Sequence, residues 1–320
     1  MGVIEDRHDG SGRTPAGGRA SGEIAVACAG DDGYAMPLAV MLRSLGEHLG
    51  ADRSAVAHVL DCGIGEPNRQ RLLRSLDGLP ITLAWHRPDL GRIRSARPGE
   101  QFAVSTYARL LMPELIDEPH VVYLDGDVLV LDDVGVLFDL PIAPFAALAV
   151  TDPTGAGHLA DAEHLPAALR EAHPAARYAN TGILPIDLDD ARRTGFTDDA
   201  LALLTELPGR PKWVDQDLIC VVLADRIGPL PARWNAYANV FIDIHGPSHL
   251  PADEQAEAHD HPAIVHYTLD SKPWRRKCPH PMQAQWFEAV DRTAWRGFRP
   301  NYWNDPPDWR ARLARMRRHR

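Results

Sequence analysis

Asp125 and Asp127 stand two residues apart directly after the apolar run 121–124, within the stretch Y-L-D-G-D-V-L-V-L-D-D that spans residues 123–133. Side chains on an extended chain alternate, so both carboxylates fall on the same side. With no basic residue beside them the two charges repel, and the arrangement asks for a cation; hard oxygen ligands suit Mg²⁺ or Mn²⁺. Gly126 between them lets the backbone bend close to a ligand. An acidic turn at a strand end gives the same pattern, so the pair needs partners to mean more. Asp132 and Asp133 read as caps of the helix that follows rather than as ligands. The partners come from I-V-H-Y-T-L-D-S-K-P-W at 264–274, where a strand end presents His266 and, six residues on, Lys272. Imidazole fills a Mn²⁺ position well, and a lysine ammonium neutralises phosphate. Taken singly these are a core histidine and a solvated charge; taken with the aspartate pair they describe a site for a metal and a phosphate.

A third group is W-V-D-Q-D-L-I-C-V-V-L at 213–223, an acidic start followed by an apolar run. It reads as a helix with Asp215 near its N-cap and Gln216 and Asp217 in the first turn.

These residues need a scaffold that brings them together. A β-rich run at 23–29 leads through a polar turn at 30–33 into a helical pattern opened by Pro37 and carried by Leu38, Met41, Leu42, Leu45 and Leu49. Residues 56–60 read as a strand, 66–76 as a helix, 81–85 as a strand, 105–115 as a helix and 121–124 as a buried strand. Such alternation predicts a parallel sheet with crossover helices, whose carboxyl edge receives ligands. The expected layout is one α/β catalytic domain over 23–275, a disordered tail over 1–22 and a C-terminal extension over 276–320.

Composition agrees with a globular enzyme: 320 residues, 45% hydrophobic, enough for a packed core. A net charge of -10 argues against general nucleic-acid binding, which uses basic surfaces. The four cysteines, Cys28, Cys62, Cys220 and Cys278, form no C-x-x-C pair and read as reduced thiols. No apolar run approaches the ~20 residues of a membrane span, and no signal-peptide core is present, so the expected location is the cytoplasm. The basic end W-R-A-R-L-A-R-M-R-R-H-R at 309–320 has two readings, a helix lying peripherally on an anionic membrane or a solvated, frayed tail.

The chain resembles the family 8 retaining glycosyltransferases, which include a bacterial lipooligosaccharide α-galactosyltransferase and glucosyltransferase and glycogenin-like enzymes. Successive blocks carry the resemblance from about residue 25 to 279: A-C-A-G-D-D-G-Y-A at 27–35, H-V-L-D-C-G-I at 58–64, S-T-Y-A-R-L at 105–110, Y-L-D-G-D-V-L-V at 123–130, A-N-T-G-I-L-P-I at 179–186, W-V-D-Q-D-L-I at 213–219, and the block from His266 to Lys272. It implies a Rossmann-like GT-A fold, a UDP-hexose donor, and Mn²⁺ or Mg²⁺ held by Asp125, Asp127 and His266. It also implies Ala29, Asp31 and Tyr34 facing uracil and ribose, Arg109 near the diphosphate and sugar, Lys272 on the phosphates, and Gln216 near the anomeric carbon. Asp217, Asp152 and Asn180 would then pair with sugar hydroxyls, for which carboxylate and amide oxygens are suited. Two positions depart from the family pattern: Gly33 stands where asparagine is frequent, and Leu269 where glycine is usual.

Three other readings fit these residues less well. A phosphotransferase with Asp125 as nucleophile gives the block at His266 and Lys272 no purpose. A catalytically silent sugar-nucleotide-binding protein has no need of a complete ligand triad. A nucleotidyltransferase needs a basic, glycine-rich N-terminal loop, where this chain is acidic at Asp31 and Asp32. The acceptor is left open among glycans, lipids, proteins and small molecules.

Overall fold

The computed structural model describes residues 22–93, 104–153, 156–207, 211–242 and 248–301. Nearly all of the expected N-terminal tail, and the basic end at 309–320, lie outside the described residues.

The first half alternates as the sequence predicts: β1 (Glu23–Gly30), α1 (Ala35–His48), β2 (Ser54–Asp61), α2 (Glu66–Ser75) and β3 (Ile81–His86). A 3₁₀ turn over Val104–Leu111 leads to α3 (Met112–Leu115), then β4 (His120–Leu124), β5 (Val128–Val130) and α4 (Gly135–Phe138). Next come β6 (Ala147–Thr151), α5 (Ala167–Ala172), β7 (Ala179–Asn180), β8 (Ile183–Asp187), α6 (Leu188–Thr194), α7 (Phe196–Glu206) and α8 (Asp215–Leu223). The chain continues through β9 (Ile227–Pro229), β10 (Ala236–Tyr237), α9 (Ala238–Phe241), α10 (Ala252–Asp260), β11 (Ile264–His266) and α11 (Gln283–Val290).

The main sheet runs β3-β2-β1-β4-β8-β6-β7, with β9 paired to β6. β1 is parallel to both β2 and β4 and is buried on both faces. Its alternation divides the core: Ile24, Val26 and Cys28 face one layer with Leu38, Met41, Leu42 and Leu45 of α1. Ala25 and Ala27 face the other, with Tyr107, Leu111, Phe196 and Leu218. Each of the four α1 side chains is at most 1% exposed, and burying one contributes about 1.5–3 kcal/mol.

Two expectations need correction. The sheet is mixed rather than parallel throughout, because β8 runs antiparallel to β4 and to β6. The expected helix over 105–115 is a 3₁₀ segment followed by one short α turn that begins around Pro113. Proline has no N–H for the carbonyl of residue 109, and its ring crowds that carbonyl, so a continuous α-helix cannot form there.

A second sheet, β10-β11-β5, positions the far half of the site. β5 and β11 are antiparallel with His266 opposite Val128, and the Tyr267 N–H donates to the Asp127 carbonyl at 3.0 Å. This register lays residue 266 beside residue 127. α11 closes over the sheet: Trp286, fully buried, packs with Val40, Leu129, Val265 and Tyr267.

Candidate active site

Asp125 and Asp127 lie in the turn between β4 and β5, at the carboxyl end of a strand that is central to the main sheet. The turn is held by the Asp125 N–H, which donates to the Gly182 carbonyl at 2.7 Å. Gly126 is closely surrounded: a Cβ there would come within 3.1 Å of Leu38 and 3.2 Å of Tyr34. His266 Nε2 stands 3.3 Å from Asp127 Oδ1 and 3.7 Å from Asp125 Oδ2. One ligand atom from each of the three residues lies within 4.8 Å of the others, the only such cluster among the described residues.

The donor set fits a divalent cation, with two carboxylates and an imidazole whose other nitrogen, Nδ1, is already paired with Asn235 Oδ1 at 2.9 Å. Lys272 places its ammonium against Asp127 Oδ2, so a cation already meets part of the acidic charge. Burial would raise the Asp127 carboxyl, but Lys272 and His266 outweigh it and hold Asp127 well below the usual carboxylate range. Asp125 moves the other way: burial raises it, and the Asp127 charge adds to that against the pull of Arg109. Burial would lower Lys272, and Asp127 more than offsets this.

Arg109 sits in the 3₁₀ segment and is 4% exposed. Its guanidinium is 3.1 Å from Asp125, pairs with Asp215, donates to the Thr181 carbonyl at 2.6 Å and lies over the Tyr123 ring. Asp215, expected near the N-cap, is therefore a buried ion-pair partner at the first position of α8. Burial pushes its carboxyl up to about 7 against the opposing effect of Arg109. The residue before it, Val214, adopts φ 48°, a strained backbone for a β-branched side chain.

Gln216 and Asp217 diverge. Gln216 Nε2 donates to Asp152 Oδ2 at 2.8 Å, and its Oε1 accepts from Asn180 Nδ2 at 3.0 Å. Asp152 borders a cleft of about 550 Å³ that Tyr178, His164, Lys212 and Trp213 also line. Asp217 is fully buried. One of its oxygens meets the Tyr178 hydroxyl and His164 Nε2, and the other accepts from the Trp213 N–H at 3.0 Å. Asp217 thus braces the cleft wall through these three partners.

Of the residues expected to face the nucleoside, Asp31 Oδ1 accepts from the Gly33 N–H at 3.0 Å, and Ala29 is the half-buried, next-to-last residue of β1. Tyr34 packs edge-on against Trp274 with ring centroids 5.8 Å apart, and burial raises its hydroxyl to about 12. Leu269, between His266 and Lys272, adopts φ 48°, the backbone region that favours the glycine usual at that position. Four residues of the site escaped sequence reasoning: Asn235, Gly182, Tyr178 and His164. Gly182 lay inside the block at 179–186; nothing in the sequence singled out the other three.

The family model for glycosyl transferase family 8 matches residues 25–278. General stress protein A of Bacillus subtilis is 30% identical over 276 residues, covering 84% of this chain and 93% of that protein. Lipopolysaccharide 1,2-glucosyltransferase of Escherichia coli is 21% identical, covering 79% of this chain and 72% of the relative. Among solved structures, the galactosyltransferase LgtC in complex with donor and acceptor sugar analogues superposes with a TM-score of 0.70 at 24% identity, covering 88% of this chain and 98% of that one. The bifunctional glycosyltransferase WbbM superposes with a TM-score of 0.72 at 22% identity, and this chain spans 52% of its length. The structural likeness establishes a GT-A fold, and the family match over most of the chain carries the assignment further: the chain belongs to glycosyltransferase family 8.

Proposed function

We propose that the chain is a retaining hexosyltransferase that moves galactose or glucose from a UDP-sugar to an acceptor hydroxyl, holding Mn²⁺ or Mg²⁺ at Asp125, Asp127 and His266. The observation that carries this reading is the cluster of those three ligand atoms with Lys272 against Asp127, at the carboxyl edge of the sheet. A divalent ion bound there would neutralise the diphosphate and stabilise the UDP that leaves.

The protein's own residues account for the remaining steps. Lys272, released from Asp127 when a diphosphate arrives, supplies a second positive charge to the phosphates. Arg109 fixes Asp125 and Asp215 in one rigid ion-pair network, so the ligand carboxylate is oriented before the donor binds. Asp31 and Tyr34 border the space for the nucleoside. In this reading Asp152 and Asn180 serve the sugar hydroxyls and Gln216 the anomeric carbon; the support is that Gln216 is tied to both residues and so held at a fixed position.

The acceptor oxygen attacks C1 on the face from which the diphosphate departs. The electrons of the C1–O bond go to the leaving phosphate, and the acceptor proton passes to that phosphate oxygen. The neutral Gln216 amide is a poor nucleophile, which favours this route over a covalent intermediate, and its oxygen lies ready to stabilise an oxocarbenium-like state.

The test is a donor screen with UDP-glucose, UDP-galactose and UDP-GlcNAc, following slow donor hydrolysis with Mn²⁺ and with EDTA. Turnover of one UDP-hexose that stops in EDTA supports the proposal. Tight UDP binding without any turnover would favour a silent binding protein instead.

A further inference from the structure

We propose that Asn235 is a positioning residue that fixes the tautomer of His266, and that a chain of side-chain amides leading to Asp152 fixes Asn235 in turn. The inference rests on reading Asp125, Asp127 and His266 as a metal site.

The Gly182 N–H points at Asn180 and lies 3.1 Å from its side chain. An N–H needs an acceptor, so the Asn180 atom there is Oδ1, and its other terminal atom is the NH₂ group. That group faces Gln216 at 3.0 Å, so Gln216 presents its oxygen to Asn180 and its own NH₂ to Asp152, where a carboxylate 2.8 Å away accepts it. Both ends of this half agree. In the other direction, Asn180 Oδ1 meets the Asn235 side chain at 2.8 Å, which must therefore offer Nδ2. The remaining atom of Asn235 is then Oδ1, an acceptor, and it stands 2.9 Å from His266 Nδ1. Two acceptors would repel there, so Nδ1 carries the hydrogen. With the ring neutral, the lone pair is at Nε2, the nitrogen that faces Asp125 and Asp127.

Reversing Asn180 or Gln216 would bring oxygen against oxygen at one neighbour and N–H against N–H at the other, and reversing Asn235 would set its oxygen against Asn180 Oδ1. Asn180 and Asn235 are 6% and 2% exposed, so water does not compensate a reversed amide. Every donor in the chain points from the histidine toward Asp152. The metal ligand and the carboxylate at the sugar cleft are the two ends of one polarised relay.

The test measures Mn²⁺ binding by electron paramagnetic resonance, with the melting temperature in EDTA as a control for folding. Asn235→Ala should weaken the Mn²⁺ Kd by about 10–100-fold, the usual cost of losing the partner of a ligating histidine. Asn235→Asp keeps an acceptor for Nδ1–H but sets a carboxylate oxygen against Asn180 Oδ1 in place of the Nδ2 donor, so it should recover only part of that loss. An Mn²⁺ Kd in Asn235→Ala equal to that of the wild type overturns the inference. A second measurement does not depend on the variants folding: ¹⁵N-histidine spectra of the Mg²⁺-loaded protein, with His266 assigned through His266→Gln, should show Nδ1 protonated. A proton on Nε2 overturns the inference. A wild-type protein that binds no Mn²⁺ removes the metal reading itself, which is distinct from wild-type binding that Asn235→Ala leaves unchanged.

Discussion

Gly182→Ala is a one-methyl probe of the proposed metal site. Gly182 does not adopt positive φ, so alanine fits its backbone and the effect is steric. The added Cβ would lie 2.7 Å from Asp125 Oδ2 and 3.0 Å from His266 Nδ1, and closer still to His266 Cε1. To reach an ordinary contact of 3.4 Å the carboxylate oxygen must retreat by 0.7 Å, and the ring must move further. Neither side chain is free to do so: Asp125 is tied to Arg109, and His266 to Asn235. Metal sites tolerate ligand displacements of about 0.2 Å, so moving either ligand this far should weaken Mn²⁺ binding about 10–100-fold, or about 1.4 to 2.8 kcal/mol. The metal-free protein pays a separate overpacking cost of about 1–3 kcal/mol. The assay is an Mn²⁺ titration by electron paramagnetic resonance, paired with urea unfolding in EDTA. Gly157→Ala, where a Cβ meets nothing within 4 Å, serves as the neutral control. A folded Gly182→Ala protein with wild-type Mn²⁺ affinity would refute the assignment of Asp125 and His266 as ligands of one ion.

Turnover should cease in EDTA and return with Mn²⁺, and Asp127→Asn should lose metal affinity and rate together; full activity in EDTA would remove the proposed metal role. Gln216→Ala should lower kcat by about 10-fold or more, about 1.4 kcal/mol of transition-state stabilisation, with UDP Kd nearly unchanged. A normal kcat, or a loss that merely tracks a lower melting temperature, would make Gln216 structural. His280 offers a test of pH-linked stability. Burial lowers its pKa from 6.5 to about 4, so between these values the unfolded chain binds the proton and the folded one does not. Stability is full above pH 6.5 and falls on acidification, by about 2 kcal/mol at pH 5. His280→Phe should flatten that acid limb when unfolding free energy is measured from pH 7 to pH 5, and an unchanged slope would assign the acid sensitivity elsewhere.

The first half of the fold was legible because its signals are local. β1, α1, β2, α2 and β3 each follow from a run of apolar residues with its own period, bounded by Gly, Pro or acidic turns. The aspartate pair was legible for the same reason, since both carboxylates lie on one short stretch. The break in the helix at Pro113 was equally local, and the proline was there to be weighed against the apolar pattern around it. The antiparallel placement of β8 was not available, because strand direction depends on which partner a strand meets and the period of its residues is the same either way.

What the sequence by itself determined was the inventory: an α/β chain, an acidic pair at a strand end, a histidine and lysine in one block, and a Gln between two aspartates. Only the tertiary structure decided their roles. The β5–β11 register set His266 beside Asp127 across 139 residues of chain. It gave Asp215 to Arg109 and set Asp217 against Tyr178, His164 and a backbone N–H, although the two aspartates are two residues apart in the same motif. It also recruited Asn235, which no motif marked. The physical reason is that a polar side chain's role depends on which groups satisfy its donors and acceptors once water is excluded. Those groups come from distant segments, whereas helix and strand periodicity is written in neighbouring residues.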